Sequence, residues 1–149
     1  MSRDGIEAVF PRLRDEGYER TSQESNIYNC IAWALDDTEH WWDPTLNYGC
    51  YWSPNVPRDN RIETIVRIFQ ARGYTVCTSE ELEVGYEKIA IYQRPNTGVT
   101  HASRQLPSGQ WTSKLGDWED ITHSTPQSVE CELYGTVVQI MKRRRNDWD

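Results

Sequence analysis

The stretch Val99-Thr100-His101-Ala102-Ser103-Arg104-Gln105-Leu106, then Pro107-Ser108-Gly109, then Gln110-Trp111-Thr112-Ser113-Lys114-Leu115 decides the fold. Two runs suited to strands flank residues that favour a turn. Working backward, Glu87-Lys88-Ile89-Ala90-Ile91-Tyr92 reads as another strand, and Pro95-Asn96-Thr97-Gly98 supplies the turn between them. Working forward, Gly116-Asp117 ends the third strand. Tyr134 to Lys142, with Val137, Val138, Ile140 and Met141, reads as the last. Neighbouring strands joined by short turns imply an antiparallel meander.

Upstream the pattern is helical. Ile62, Ile65, Val66 and Phe69 follow the i, i+3, i+4, i+7 spacing of one helix face, which predicts a helix over 60–73. Asp59 or Asn60 is suited to cap its start, and Gly73 to stop it. Cys30, Ile31, Trp33, Ala34 and Leu35 are apolar nearly all round, as in a short buried helix capped by Asn29. Helices first and strands second predict an α+β fold, with N-terminal helices packed on a C-terminal antiparallel β-sheet. Residues 1–25 read as a polar segment anchored by Phe10-Pro11 and Leu13. Residues 36–60 read as an irregular aromatic stretch containing Trp41, Trp42, Tyr48, Gly49, Tyr51 and Trp52. Residues 142–149 read as a basic, solvated tail.

The 149 residues suit one domain. Only 37% are hydrophobic, but seven Trp and eight Tyr supply large buried surfaces. The net charge of -7 argues against a nucleic-acid-binding face, because the only basic run is Lys142-Arg143-Arg144-Arg145. No long apolar segment suggests a membrane span. Met1-Ser2-Arg3-Asp4-Gly5 leads into no apolar signal region, so the expected compartment is the cytoplasm. Cys30, Cys50, Cys77 and Cys131 contain no C-x-x-C and suit reduced thiols. Cys30, His101, His123 and Cys131 lack the paired short spacings of a zinc site. No glycine-rich phosphate cradle is present. The expectation is therefore no metal and no cofactor.

Cys30 and His101 carry the chemical interest. A free thiol, with its pKa near 8.5, is mostly protonated at neutral pH. A helix N-terminus and a nearby imidazole both favour the thiolate. Alternation puts His101, Ser103 and Gln105 on one strand face, and Trp111, Ser113 and Leu115 on one face of the next. Ser113 is then the first candidate to orient the imidazole, with Asp117, Asp120 and His123 further along. His123 also suits a surface or capping place, and Lys114 a solvated one. Asn29 could offer a donor to an oxyanion. Trp41, Trp42, Tyr51 and Trp52 could cover a substrate cleft or plug one end of the core.

Asn29-Cys30-Ile31-Ala32-Trp33-Ala34, followed by a helix, a strand with His101, and Gly109-x-Trp111-x-Ser113, resembles the papain-fold cysteine hydrolases of the NlpC-like branch. The resemblance implies a cysteine opening a helix on an antiparallel sheet, a histidine on the second core strand and a polar orienting residue on the third. It carries these roles onto Cys30, His101 and Ser113. Serine departs from the histidine found at the third place in many members, and it brings no charge. Trp111-Thr112-Ser113-Lys114-Leu115-Gly116, Asp120-Ile121-Thr122-His123 and Tyr134-Gly135 are also similar to a bacterial family with paired cysteine and histidine motifs.

The reading that follows is a cysteine hydrolase cleaving an amide in a peptide, an isopeptide or a side chain. Cys30 is the nucleophile and His101 the base. Asn29, Asp120 and His123 are supporting residues, and the partner is a peptide or protein substrate. The competing reading is an inactive papain-like module whose 41–52 loop binds a protein, peptide or glycan.

Overall fold

The computed structural model describes residues 2–45 and 50–145. Tyr48, Gly49 and positions 146–149 lie outside the described residues. Seven strands form one sheet: β1 (Tyr18–Arg20), β4 (Thr75–Cys77), β5 (Tyr86–Arg94), β6 (Gly98–Gln105), β7 (Trp111–Lys114), β8 (Asp120–His123) and β9 (Thr136–Arg144). Their order is β1-β8-β7-β6-β5-β9-β4, and every neighbouring pair is antiparallel. The expected strands β5, β6 and β7 run as a meander, and β8 extends it. The last strand crosses back to pair with β5. A separate parallel pair, β2 (Trp41–Trp42) and β3 (Cys50–Tyr51), gives the aromatic stretch a little order.

Helices cover both faces of the sheet, so the fold is mixed α+β with a large antiparallel sheet and few helices. On one face α3 (Cys30–Ala34) and α4 (Ile62–Gln70) pack with Trp42 and Trp52 against Ile89, Ile91, Val99, Ala102 and Met141. On the other, Ile6, Phe10 and Leu13 pack against Ala90, Tyr92, Trp111, Ile121 and Ile140. Strand alternation separates the two sets. Asp59 holds the entry to α4: its carboxylate accepts from the Arg61 N–H at 3.0 Å and from the Thr64 hydroxyl at 2.5 Å.

Two expectations need correction. Residues 1–25 are not a loosely anchored polar segment. They form α1 (Arg3–Val9), α2 (Pro11–Glu16) and the edge strand β1, and Ile6, Phe10 and Leu13 bury almost completely. Those three recur at helical spacing, a short stripe easily lost among charges. Asp120–His123, to which the sequence reading assigns no element, is a strand. The basic run is not a solvated tail. Lys142, Arg143 and Arg144 end β9, with Lys142 paired to Glu83 and both Arg143 and Arg145 to Glu87.

One irregularity positions the site. Tyr92 pairs with His101 and Gln93 with Val99, so Thr100 is an extra residue in β6. Such a bulge re-aims the side chains beside it. The strands β6 and β7 pair only at Arg104–Thr112 and Gln105–Trp111.

Candidate active site

Asn29 builds the entry to α3. Its Oδ1 accepts from the Ala32 N–H and the Trp42 N–H, both at 3.2 Å, and its Nδ2 donates to the Trp42 carbonyl at 2.6 Å. The side chain thus ties the aromatic loop to the helix. Its oxygen and one Nδ2 hydrogen are thus engaged in holding the loop to the helix.

Cys30 follows, buried at the helix start. Its thiol donates to the Thr100 carbonyl, with sulfur and oxygen 3.9 Å apart. Burial pushes the thiol up to about 11. The backbone N–H groups of Ala102, Ile31 and Cys30 favour the anion but are outweighed. The expected low-pKa thiolate is therefore not the resting state. A five-residue helix adds little dipole, and the surroundings are apolar.

His101 projects from β6 onto the opposite face, beside Tyr92, with its ring stacked on Tyr134 at 4.0 Å between centroids and 10° between planes. Its Nε2 lies 3.0 Å from the Ser113 hydroxyl. That hydroxyl lies 2.8 Å from His123 Nε2, and His123 Nδ1 lies 2.7 Å from the Thr125 carbonyl. Burial holds both imidazoles below their usual range, His123 at about 4 and His101 well down, so both are neutral at pH 7.

Neutrality and this chain of contacts fix every proton. A carbonyl only accepts, so His123 Nδ1 carries the hydrogen and its Nε2 is bare. Ser113 has one hydrogen and must donate it to that Nε2. His101 Nε2 must then donate to Ser113, which leaves His101 Nδ1 with a free lone pair. This Nδ1 is buried and has no hydrogen-bond partner among the described residues. Buried acceptors are seldom left unpaired, and those that are often mark function.

Ser113 thus lies against His101 Nε2, with His123 behind it. A surface role for His123 is corrected, since it is 1% exposed. The structure does not join His101 to Cys30 by a hydrogen bond. The thiol instead grips the backbone on either side of His101, at Thr100 and Ala102. Asp120 also lies away from the imidazole. Its carboxylate accepts from the Tyr28 hydroxyl at 2.9 Å, on the face of α3, and it does not orient His101. Lys114, expected in solvent, is fully buried and donates to the carbonyls of Ser25 at 2.7 Å and Gly116 at 2.5 Å. Asp117 stands exposed.

Beside Cys30 lies a cavity of about 520 Å³ lined by Asn29, Trp41, Trp42, Trp52, Asn60 and Thr100 among others. That volume suits a ligand site. Tyr51 packs at a tilt against His40 and edge-on against Trp42 rather than lining this wall. The unpaired Nδ1 and the Ser113–His123 pairing are contacts that no spacing rule reveals, because the strands meet only in the fold. Among the described residues, no group of three or more His, Cys, Asp or Glu is placed to hold a metal. No helix among them is long and apolar enough to cross a membrane.

The model of one family, a domain of unknown function (DUF7689), matches residues 19–142. The chain belongs to this family. The match runs from β1 into β9 and contains Cys30, His101, Ser113 and His123. No curated protein and no solved structure matches the chain.

Proposed function

We propose that this protein is a papain-like cysteine hydrolase that cleaves an amide in a peptide, an isopeptide or a side chain. The observation that carries the reading is the bare, buried Nδ1 of His101, fixed as a base by Ser113 and His123 next to the backbone that holds the Cys30 thiol. The resting pair is uncharged. When substrate enters the aromatic cavity, the sulfur leaves the Thr100 carbonyl, the bulge at Thr100 lets His101 turn its Nδ1 from the far face of the sheet toward the sulfur, and the thiol proton passes to Nδ1 as the S–C bond forms. The Ile31 and Cys30 N–H groups, which point at the sulfur, serve the oxyanion. His101 then protonates the leaving amine, and water releases the acyl group.

The test is acyl-enzyme formation with p-nitrophenyl acetate, read by peptide mass spectrometry. The reading expects acetyl on Cys30 in wild type and its loss in His101→Ala. Equal acetylation in both, or none on Cys30 in wild type, contradicts it.

A second reading has its own support in the buried, protonated thiol that lacks an imidazole partner. On it the chain is an inactive binding module that holds a peptide, protein or glycan in the cavity behind Trp41, Trp42 and Trp52. It expects no acyl adduct, and equal ligand affinity in wild type and Cys30→Ala.

A further inference from the structure

A second cavity, of about 400 Å³, opens on the other side of Thr100. Thr100 lines both cavities. Its carbonyl accepts from the Cys30 thiol on one side, while its hydroxyl donates to the Tyr134 carbonyl at 2.5 Å on the other. The second cavity is walled by Phe10, Leu115, Trp118, Leu133 and Tyr134. Phe10 lies 5.1 Å from Tyr134 and 6.5 Å from Trp118 between ring centroids, which makes an aromatic cage. Leu133 is 51% exposed. Arg94 and Asp117, also in the lining, are exposed and of opposite sign, so this cavity selects for apolar bulk and not for charge.

Resting on the hydrolase reading, we propose that this cavity receives the large apolar side chain of the residue on the leaving-group side of the scissile bond, making the substrate a peptide with Phe, Tyr, Trp or Leu there. The acyl part stays with the sulfur and so belongs in the cavity that Cys30 lines. The leaving amine takes its proton from His101, so it departs on the imidazole's side. Tyr134 stacks on that imidazole and also lines the second cavity. Strands β6 and β7 pair only at Arg104–Thr112 and Gln105–Trp111, so they are unpaired beside Thr100, the residue that the two cavities share.

The test compares two alkylating probes on the full chain: N-chloroacetyl-L-phenylalaninamide and N-chloroacetylglycinamide. In each, the Cys30 sulfur bonds to the chloroacetyl CH2, the C–Cl bond breaks, chloride leaves with the bonding pair, and the thiol proton goes to His101 Nδ1. Burial of the phenyl ring predicts labelling about tenfold faster or more for the phenylalanine probe. The rate ratio falls to about one in Leu133→Asp, a change at an already exposed position. A wild-type ratio near one overturns the inference, even where Cys30 acetylation by p-nitrophenyl acetate still depends on His101. Should acetylation also fail, the hydrolase reading fails by itself. The cavity is then read by NMR titration with N-acetyl-L-phenylalaninamide. Shifts at the Trp118 indole N–H support it, and no shift there overturns it.

Discussion

Replacing Ser113 by Ala removes the one hydroxyl that joins two buried imidazoles. The His101 Nε2–H loses its acceptor at 3.0 Å and the His123 Nε2 lone pair loses its donor at 2.8 Å. Ser113 and His101 are fully buried and His123 nearly so, so bulk water does not replace the lost bonds. Leaving a buried polar group unsatisfied costs about 1–3 kcal/mol, which gives roughly 2–6 kcal/mol for the two. For a chain of this size that lowers Tm by roughly 4–24 °C. The chemical effect follows from the same atoms. Without Ser113 nothing keeps the hydrogen on Nε2, and the tautomer with hydrogen on Nδ1 has no base to offer the thiol. Alkylation of Cys30 by iodoacetamide at pH 7 should fall on the order of 10²-fold. Ser103→Ala is the control. Ser103 is equally buried on the same strand face, but it bonds the Tyr92 hydroxyl at 3.0 Å. It should cost about 1–3 kcal/mol and leave Cys30 labelling unchanged. Thermal melts and labelling rates on the three proteins decide the matter. A Ser113→Ala protein with wild-type Tm and wild-type labelling would refute the relay.

Three further outcomes follow from the same contacts. His123 sits at about 4 when folded against 6.5 when free, so folding excludes a proton that the unfolded chain binds. Its contribution is intact above pH 6.5 and is lost as pH falls toward 4, about 3 kcal/mol in all. Urea unfolding between pH 7.5 and 4 should therefore be less acid-sensitive in His123→Gln, and an identical acid slope in both proteins contradicts this. Asn29→Ala removes an N-cap and the tie to Trp42, costing about 1–3 kcal/mol and red-shifting tryptophan emission as the loop lifts. An unchanged spectrum and urea midpoint contradict the tie. Gly135 has φ +75°, and a Cβ there would strike the Gln93 carbonyl, so Gly135→Ala should cost about 3 kcal/mol or more by circular-dichroism melting. Gly17→Ala, at φ +86° with open space around it, should cost about 1–2 kcal/mol, and equal losses would contradict the close approach.

The sequence spoke most clearly where periodicity is strong. Ile62, Ile65, Val66 and Phe69 announce α4, and the Pro107-Ser108-Gly109 turn announces the hairpin that brings Ser113 to His101. It spoke poorly where few residues do the packing. Ile6 and Leu13 lie among charged neighbours, yet they seal a whole face of the sheet. The side of the sheet that His101 takes was also hidden, because the extra residue at Thr100 resets the alternation only in the paired strand. Burial reversed the electrostatic expectation at Cys30. A helix start suggested a thiolate, but the apolar surroundings of α3 keep the proton on sulfur. Lys114 misled for the opposite reason, since its charge suggested solvent while two carbonyls hold it inside.

The central claim is that neutral His101 takes the Cys30 proton. The pH dependence of iodoacetamide labelling at Cys30, by mass spectrometry, in wild type and His101→Ala, tests it most directly. With His101 as base, the wild-type rate should stay level from about pH 6 to 9, because the imidazole is unprotonated throughout that range and the thiol is not. Without it, labelling should depend on free thiolate and climb about tenfold per pH unit toward the thiol's value of about 11. The same climbing profile in both proteins would contradict the account.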